Sequence, residues 1–475
     1  MGMQVKWTGT EATALREALG LTQKRFACRA GIAKSTVAKW KHRGGAIVLG
    51  DKCAAILDTM LARATSEQRA RFGAAVESQL ADEPTEPVAA LWVPGIWTAE
   101  STAVADSLIR EDLTLDRRQV GRALLGVVVG THLLEPLERW LLSSSDVTPP
   151  RVTAVGVGFQ EAVELENAAR IFREWDDQFG GGLRRKAVIG QLSEVNEMLR
   201  DSHPPEIKRR LTRTKALLAE TAATMSWDSG RQSKAQQYYA MAVRAAKEAD
   251  DPALCANAIA GMARQLLSLD HYGLAARRES VERERAMDAL ELIRLAQDQF
   301  GHRITATTRA MLHTREAWAF GKLGRPTAFH RAGDRAHEAL NESDPSADPY
   351  WINYFDAAEL AGTLGGRLLE MARREPAFAA AAAEQIGHAI QLRRPGRRRS
   401  AALDQLGMME ARLIEGEVEE ACRIGETAVE AVGKTASDRV QKKLIKVYRA
   451  TEQFVQVGRV AELRGQMKPL LLATA

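Results

Sequence analysis

The spacing of apolar and polar residues predicts an all-α protein. From Arg151 onward, apolar residues recur at intervals of three or four, and almost no stretch alternates with the period of two that a half-buried strand shows. The same helical spacing covers Asp51 to Leu80 and two stretches between Thr98 and Leu142. Amphipathic helices of this kind bury one side against each other. The pattern therefore predicts packed helices along most of the chain.

Residues 23–41 predict two short helices that cross at a tight turn. Ala27 is small enough to let the second helix approach closely, and Gly31 suits the left-handed turn that costs other residues most. Thr22 is placed to cap the first helix. Leu15 and Leu19 would pack beneath the pair. The apolar contacts between the two helices would come from Phe26, Ala30, Ile32, Val37 and Trp40.

A second pattern starts at each of three glycines. Small residues follow each glycine at similar spacing: Ala235, Tyr239 and Ala242 after Gly230, Ala421 and Ala428 after Gly416, and less regularly Ala328 and Ala336 after Gly324. Such spacing puts glycine at a turn between helices and small residues where the second helix lies close to its neighbours. The glycines are 94 and 92 residues apart, which suits two lengthened helix pairs per interval or nearly three standard repeats.

These patterns predict four segments. Residues 1–80 form a helix-turn-helix domain, and residues 81–97, with Pro84, Pro87 and Pro94, form a linker. Residues 98–150 form a helical connector, which either docks on the C-terminal helices or pairs with a second subunit. Residues 151–475 form stacked helical hairpins, an α-solenoid of tetratricopeptide-like repeats.

Composition limits the class of protein. The chain has 475 residues, 45% of them hydrophobic, and four cysteines far apart, which predict reduced thiols and no zinc site. The N-terminus carries no apolar signal segment. The longest apolar run, Ala123 to Leu134, is shorter than the about twenty residues that cross a bilayer, and predicts a buried helix. We expect a cytoplasmic protein with no membrane partner.

Charge is concentrated at the N-terminus. Residues 1–60 contain ten Lys or Arg and four Asp or Glu, a net charge of +6, whereas the whole chain has +5. The basic character therefore coincides with the predicted helix pair, as binding to DNA phosphates requires. The alternative is a pair of surface helices with ordinary lysines.

Residues 11–44 resemble the lambda-repressor-like (XRE-type) DNA-binding domain. The resemblance implies that the helix starting near Lys34 enters the major groove of double-stranded DNA. It implies base contacts from Lys34, Ser35 and Lys39, and phosphate contacts from Gln23, Lys24 and Arg43. The full candidate DNA-binding set is Gln23, Lys24, Lys34, Ser35, Thr36, Lys39 and Arg43. Lys41 departs from the family, which often has an acidic residue there.

Three runs in the rest of the chain are similar to those of actinobacterial regulators with an N-terminal helix-turn-helix and a long repeat region. The runs are residues 172–182, 313–319 and 351–360. At the level of architecture only, the chain also resembles the peptide-sensing quorum regulators of Gram-positive bacteria. This analogy implies a homodimer whose repeat region binds a peptide, a small molecule or a partner protein.

Polar and aromatic residues on the first helix of a repeat tend to line its concave face. Asn353 could hold a peptide backbone, and Arg264 could pair with a carboxylate. The candidate ligand-binding residues are Arg264, His313, Glu316, Trp318, Asn353, Tyr354 and Glu359. The alternative is that the aromatic residues are core and the charged residues form salt bridges between helices.

The sequence contains no arrangement that predicts catalysis, a metal site or a cofactor. The nine histidines are scattered, and Gly180 to Gly182 lack the Lys-Ser/Thr of a phosphate-binding loop and predict only a turn after a helix that ends at Phe179. Five arginines between Arg393 and Arg399 predict a solvated loop, with a second nucleic-acid contact as the alternative.

The first hypothesis is therefore a sequence-specific DNA-binding transcriptional regulator, dimeric on a two-part site, whose repeat domain senses an effector. The dimer interface lies either in residues 98–142 or in the repeats. The alternative is a protein-interaction scaffold of tetratricopeptide-like repeats that binds DNA weakly or without sequence preference. An enzyme is not expected.

Overall fold

The all-α prediction is confirmed. The structure is a computed structural model that describes residues 7–43, 49–81, 96–114, 127–143, 157–179, 185–269, 275–435 and 437–472. Within these ranges the chain forms 21 α-helices and no β-strand. Of the predicted linker, residues 82–95 lie outside the described ranges, as do Gly180 to Gly182.

The chain divides into two compact units. One comprises Met1–Leu91, Asp116–Gly126 and Leu269–Glu284. The other comprises Trp92–Leu115, Val127–Ser268 and Arg285–Ala475. The described helices of the predicted connector therefore belong to the same unit as the helical hairpins.

Five helices begin the chain: α1 (Gly9–Ala18), α2 (Gln23–Ala30), α3 (Lys34–Arg43), α4 (Asp51–Ala62) and α5 (Ser66–Ala81). Their apolar sides form one core around Leu15, Phe26 and Leu57, which are fully buried. Trp7, before α1, stacks on Phe72 of α5 with ring centres 5.8 Å apart, and its indole nitrogen donates to Asp58 at 2.7 Å. A buried indole that finds a polar partner in this way avoids the cost of an unmet hydrogen bond.

Local capping explains where the first helices begin. At the start of α1, the Thr8 hydroxyl accepts from the backbone N–H of Thr10, and the Glu11 carboxylate accepts from the Thr8 N–H at 2.8 Å. At the start of α2, the Thr22 hydroxyl accepts from the N–H of Arg25 at 3.3 Å. Side chains thus satisfy N–H groups that have no partner inside a helix. The prediction that Thr22 is an N-cap is confirmed.

Sixteen more α-helices follow among the described residues. They are α6 (Ser101–Thr114), α7 (Thr131–Leu142), α8 (Phe159–Phe179), α9 (Arg185–Met198), α10 (Pro205–Asp228), α11 (Gln232–Glu248), α12 (Pro252–Ser268), α13 (Ala275–Phe300), α14 (Ala306–Lys322), α15 (Pro326–Asn341), α16 (Ala357–Ala372), α17 (Ala379–Leu392), α18 (Arg398–Glu415), α19 (Val418–Gly433), α20 (Asp438–Ala450) and α21 (Gly458–Leu472). Helix α8 ends at Phe179, as predicted. A short 3-10 helix, Tyr350–Ile352, precedes α16.

The three glycines predicted at turns between helices are there. Gly230 lies between α10 and α11, Gly324 between α14 and α15, and Gly416 between α18 and α19, with φ angles of 74°, 67° and 85°. This left-handed backbone is strained for residues with a Cβ. Four helices, α11 to α14, lie between Gly230 and Gly324. The spacing of the glycines allowed two arrangements, and this is the one with two lengthened helix pairs per interval.

A small residue brings α11 and α12 close together. Gly261 of α12 faces the ring of Tyr239, and a Cβ at this position would lie 2.4 Å from the Cε1 atom of Tyr239. The tyrosine is fully buried. Any larger residue at position 261 would therefore push the two helices apart.

The predicted connector helices dock on helices later in the chain. Asn196 of α9 donates to the Thr102 carbonyl oxygen of α6 at 2.9 Å, and Lys215 of α10 donates to that of Ser101 at 3.1 Å. The Lys247 ammonium donates to the Ser143 carbonyl oxygen at the end of α7 at 2.6 Å, where a cation is favourable for the helix dipole. Docking was one of the two roles predicted for this segment.

The apolar run from Ala123 to Leu134 is not one buried helix, contrary to the prediction. Residues 127–129 are irregular, Gly130 has a φ of 64°, and α7 begins only at Thr131. The left-handed backbone at Gly130 interrupts the helix that the hydrophobic pattern predicted. Residues 123–126 lie outside the described ranges.

Alternate helices of the second unit make a closed circuit of contacts. Helix α10 contacts α12, which contacts α14, and the series continues through α16 to α18. Helix α8 contacts both α10 and α18, which joins the last of these helices to the first. The Arg399 guanidinium of α18 donates to the carbonyl oxygen of Asp176 in α8 at 3.1 Å. Several charged side chains of these helices are buried, among them Arg173, Glu220 and Arg315.

The cysteines and the helix lengths give two further facts. All four cysteines are free; Cys255 and Cys422 are buried, Cys53 is half-buried and Cys28 is exposed. None of the helices in the described part of the chain has both the length and the apolar composition needed to cross a bilayer.

Candidate functional site

Two helices and one turn define the candidate nucleic-acid interface. Helix α2 ends at Ala30 and is capped by Gly31, whose φ of 65° is left-handed. The N–H of Ile32 donates back to the Ala27 carbonyl oxygen at 3.0 Å. Phe26, Ala30, Val37 and Trp40 are buried between these helices and α1, and Ile32 packs against them partly buried. The predicted left-handed turn at Gly31 and the predicted apolar contacts are confirmed.

The predicted base-contacting residues lie on the solvent side of α3. Lys34, Ser35 and Lys39 are exposed, and Thr36 is half-buried. On α2, Lys24 is exposed and Gln23 is half-buried. Arg43 ends α3, and its side chain lies outside the described part of the structure. The exposed side chains are free to touch a partner without unfolding the helix pair.

Three cations that the sequence-based assignment left out add to this surface. Arg25 and Arg29 of α2 and Lys41 of α3 are exposed, like Lys24, Lys34 and Lys39. No acidic side chain among the described residues forms an ion pair with any of these six cations. Uncompensated positive charge on two adjoining helices attracts phosphate groups. A list of every lysine and arginine on both helices, rather than only of the positions that the family uses, would have included these three residues.

The seven residues predicted to line one ligand groove lie in separate places. His313 and Glu316 of α14 face the neighbouring helices α13 and α15. Glu316 accepts from Nδ1 of His313 at 3.0 Å and from Arg335 at 2.8 Å, and Gln297 lies 3.2 Å from His313. Burial alone would raise the pKa of Glu316, but these hydrogen bonds lower it to about 2. These two residues form a charged network between helices.

Glu359 and Asn353 make their hydrogen bonds with arginines at the end of α17 and just after it. Arg393, at the end of α17, donates to Glu359 of α16 at 2.7 Å and to Asp404 of α18 at 2.9 Å. Asn353 is exposed, and its carbonyl oxygen accepts from Arg397 at 3.5 Å. The arrangement around Glu359 is the salt bridge between helices that the sequence left open as the alternative.

Trp318 is buried against an arginine of α16. The guanidinium of Arg367 lies 3.6 Å from the Trp318 ring centre, a cation–π contact, and the indole nitrogen donates to Glu370 at 3.2 Å. Burial would raise the pKa of Glu370, but the charges of Arg367 and Lys322 lower it to about 2. The negative charge of Glu370 is therefore balanced by the cations next to it.

Arg264 and Tyr354 are brought together at a small cavity. Its other lining residues include Arg173, Glu220, Asn257 and Arg315, and its volume is about 10 Å³. Arg264 stacks on Trp227 at 4.6 Å from the ring centre and lies 3.5 Å from the Tyr239 hydroxyl. Of the seven predicted residues, these two share a cavity.

Sequence reasoning missed Arg315 and Asn257. Both are buried and line the cavity. Burial lowers the pKa of Arg315 to about 10. Tyr354 and Glu359 oppose this shift, and the charges of Arg264 and Arg367 add to it, so the side chain is still protonated at neutral pH. Arg315 belongs to one of the runs that resemble actinobacterial regulators. Its position in a helix did not predict which residues would lie next to it.

The arginines between residues 393 and 399 are not all in a solvated loop, which corrects the prediction. Arg393 is held by Glu359 and Asp404 with only 6% of its side chain exposed. Arg399 donates to the carbonyl oxygen of Asp176. Arg393 therefore pairs with the neighbouring helices α16 and α18, and Arg399 pairs with α8, which is distant in sequence. Arg394 and Arg398 are exposed, as predicted.

Comparison with known proteins gives no match: no family model, no curated protein and no solved structure is significantly similar to this chain. The structure by itself thus defines the class, an all-α protein with an exposed basic helix pair in one unit and a buried charged interior in the other.

Proposed function

We propose that this protein is a DNA-binding transcriptional regulator. The observation that carries the proposal is the geometry of α2 and α3: a capped helix, a left-handed glycine and a second helix whose apolar side is buried. On its other side that second helix exposes Lys34, Ser35 and Lys39. A helix so mounted can enter the major groove and offer donors to base edges.

The distribution of charge supports the same proposal. The net charge of +6 falls on residues 1–60, and six exposed cations of α2 and α3 have no acidic partner among the described residues. Ordinary surface cations often pair with acidic neighbours, whereas phosphate-binding cations must stay available. The resemblance of residues 11–44 to the lambda-repressor-like domain points the same way.

The proposal includes a homodimer and an effector. A single small helical domain buries too little surface to hold one site tightly, so two copies on a two-part site are expected. In the proposal, the helical hairpins are tetratricopeptide-like and bind a peptide, small molecule or partner protein. An effector that prefers one arrangement of these helices would change the separation of the two DNA-binding domains. We place the protein in the cytoplasm.

The test is selection from a randomised double-stranded DNA library by the purified full-length protein, near physiological ionic strength. A repeated two-part motif with fixed spacing would support a dimeric regulator. The variant to compare is Lys34→Ala/Lys39→Ala, which changes two exposed side chains and leaves the core intact. This double variant should no longer select the motif, and its circular dichroism spectrum should show that it keeps the fold.

Binding without sequence preference would overturn the proposal. The basic helix pair would then be a weak, non-specific anchor, and the hairpins would be the functional part, as in a protein-interaction scaffold. Retention of the motif by the double variant would show that α3 is not the reading helix.

A further inference from the structure

The cavity between α8, α10, α12 and α14 contains more positive than negative charge. Arg173, Arg264 and Arg315 line it, and Glu220 is the carboxylate among its lining residues. Glu220 is already bound by Arg173 in a salt bridge. Neither Arg264 nor Arg315 forms an ion pair with a carboxylate among the described residues, although the charges of Glu220 and Glu359 favour the charged forms of Arg264 and Arg315 respectively.

Arg315 is the least compensated of these groups. Only 7% of the residue is exposed, and its Nε has no hydrogen-bond partner in the described part of the chain. No ion pair or hydrogen bond joins Arg315 to any residue that the structure describes. A guanidinium stays charged in proteins, and leaving it buried without an anion is costly. An anion placed against this guanidinium would give it the partner that a buried charge requires.

The other polar groups of the cavity are also able to donate. The amide nitrogen of Asn257 and Nε of Arg264 are buried and find no hydrogen-bond partner among the residues with described positions, and Tyr354 adds a hydroxyl. Arg264 is held in place by its stacking on Trp227, which has Arg439 at 4.9 Å from its ring centre as well. A site made of fixed donors, with its one carboxylate engaged, is suited to a negatively charged group.

We propose that this cavity binds an anion, the carboxylate or phosphate group of a small effector, between the guanidinium groups of Arg264 and Arg315. The volume of about 10 Å³ is that of one water-sized group, so one oxygen atom of the anion fits between the two guanidinium groups. As an effector site, this inference rests on the proposed regulator; anion binding itself does not.

The test uses the full-length protein and three salts at neutral pH: sodium phosphate, sodium acetate and sodium chloride. Thermal unfolding and isothermal titration calorimetry report binding. Phosphate or acetate should raise the unfolding temperature with saturation, and the stronger of the two identifies the kind of oxyanion. No saturable effect of either, or the same effect from chloride, would overturn the inference.

Two variants separate a ligand site from a structural arginine. Arg315→Met removes the charge and keeps an unbranched side chain. We expect it to lose the anion response and, in low-salt buffer, to unfold no lower than the wild type, because an unpaired buried charge has gone. Arg264→Met should raise the Kd for the anion about tenfold or more. A wild-type anion response in both variants would contradict the assignment.

The matched control is Arg373→Met. Arg373 is also a largely buried arginine, but it donates to Glu410 at 2.5 Å and 2.9 Å. Its loss should lower the unfolding temperature in every buffer and leave the anion response unchanged. If Arg315→Met behaves like Arg373→Met, Arg315 is structural.

The two proposals fail in different ways. A protein that reads a defined DNA motif, and in which Arg315→Met leaves anion binding unchanged, would keep the regulator and overturn the anion site. A protein without DNA preference, in which Arg315→Met abolishes anion binding, would keep the site and overturn the regulator.

Discussion

The carboxylate of Asp112 is wholly buried against the guanidinium of Arg185. Arg185 donates to both carboxylate oxygens, one at 3.1 Å, and Tyr238 donates to the same group at 3.0 Å. Arg231 lies 3.4 Å away. One acidic side chain of α6 therefore ties that helix to α9 and α11. Burial, with the charge of Asp112, raises the pKa of Tyr238 well above its ordinary value, so the phenol keeps its proton.

Replacing Asp112 by Ala should destabilise the second unit strongly. Arg185 would keep its charge, only 8% exposed, without its anion. Breaking a buried pair in this way costs about 3–5 kcal/mol. Urea unfolding followed by circular dichroism measures the change, and the Asp112→Ala/Arg185→Met double variant should recover part of it.

The control for Asp112 is Glu174→Ala. Glu174 pairs with Arg170 one turn away on α8, and both side chains are 54% exposed. An exposed pair of this kind contributes about 0.3–0.5 kcal/mol. An equal loss of unfolding free energy in the two variants would show that burial of the Asp112–Arg185 pair does not matter for stability.

Single substitutions on α3 should change which base the protein prefers. Lys34→Ala and Lys39→Ala should each relax preference at one base pair and cost about 1–3 kcal/mol of discrimination. Lys24→Ala should weaken binding to all sequences alike, because phosphate contacts carry no sequence information. Competition binding with single-base variants of the selected motif measures both effects.

Arg69→Ala is the matched control for these lysines. It removes one exposed positive charge from α5 rather than from the helix pair. Base preference should stay the same. A change as large as that of Lys39→Ala would mean that net charge, and not the position of the side chain, governs binding.

Two glycines of the second unit should respond oppositely to alanine. Gly230 has a φ of 74°, where a Cβ is strained although nothing lies within 4 Å. Gly230→Ala should therefore cost about 1–2 kcal/mol. Gly190, in the interior of α9, also has open space around it and no strained φ, so Gly190→Ala should stabilise by about 0.5–1 kcal/mol. Urea unfolding of both variants gives the sign of the change in the free energy of unfolding. A change of the same sign in both variants would contradict the backbone argument.

Glu316 should make stability depend on pH in acid. Its pKa of about 2 in the folded protein lies below the ordinary 4.5, so its contribution is complete above about pH 4.5 and is lost as the pH falls towards 2. The contribution is about 3 kcal/mol at most. The unfolding curves of wild type and Glu316→Gln should therefore differ at pH 6 and converge near pH 2.

Glu338→Gln serves as the control for Glu316. Glu338 is an exposed residue of α15, the helix that packs against α14. Its loss should leave the pH dependence as in the wild type. A constant difference between wild type and Glu316→Gln at all pH values would contradict the role of the carboxylate charge.

Features set by a few neighbouring residues could be predicted from the sequence. The Thr22 cap, the turn at Gly31 and the turns at Gly230, Gly324 and Gly416 depend on local backbone geometry, and all are present. The helical class followed from the spacing of apolar residues over many turns.

Features that join distant residues could not be predicted. Arg393 was expected in solvent because runs of charged residues usually lie in water, but Glu359 and Asp404 of two other helices bind it. His313 and Arg264 were placed in one groove because both are polar and helical, yet they face different neighbours. Periodicity gives the side of a helix that is buried, but it does not give the helix that covers it.

The contact of α18 with α8 has a consequence for cooperativity. A linear array of hairpins has two free ends, from which it can fray one hairpin at a time. In this chain the Arg399–Asp176 hydrogen bond joins helices 223 residues apart in sequence, so the stretch from α8 to α18 has no such ends. Opening any one interface requires strain in the others or rupture of a second interface. Hydrogen exchange of α10, α14 and α18 should accordingly proceed through one shared opening reaction.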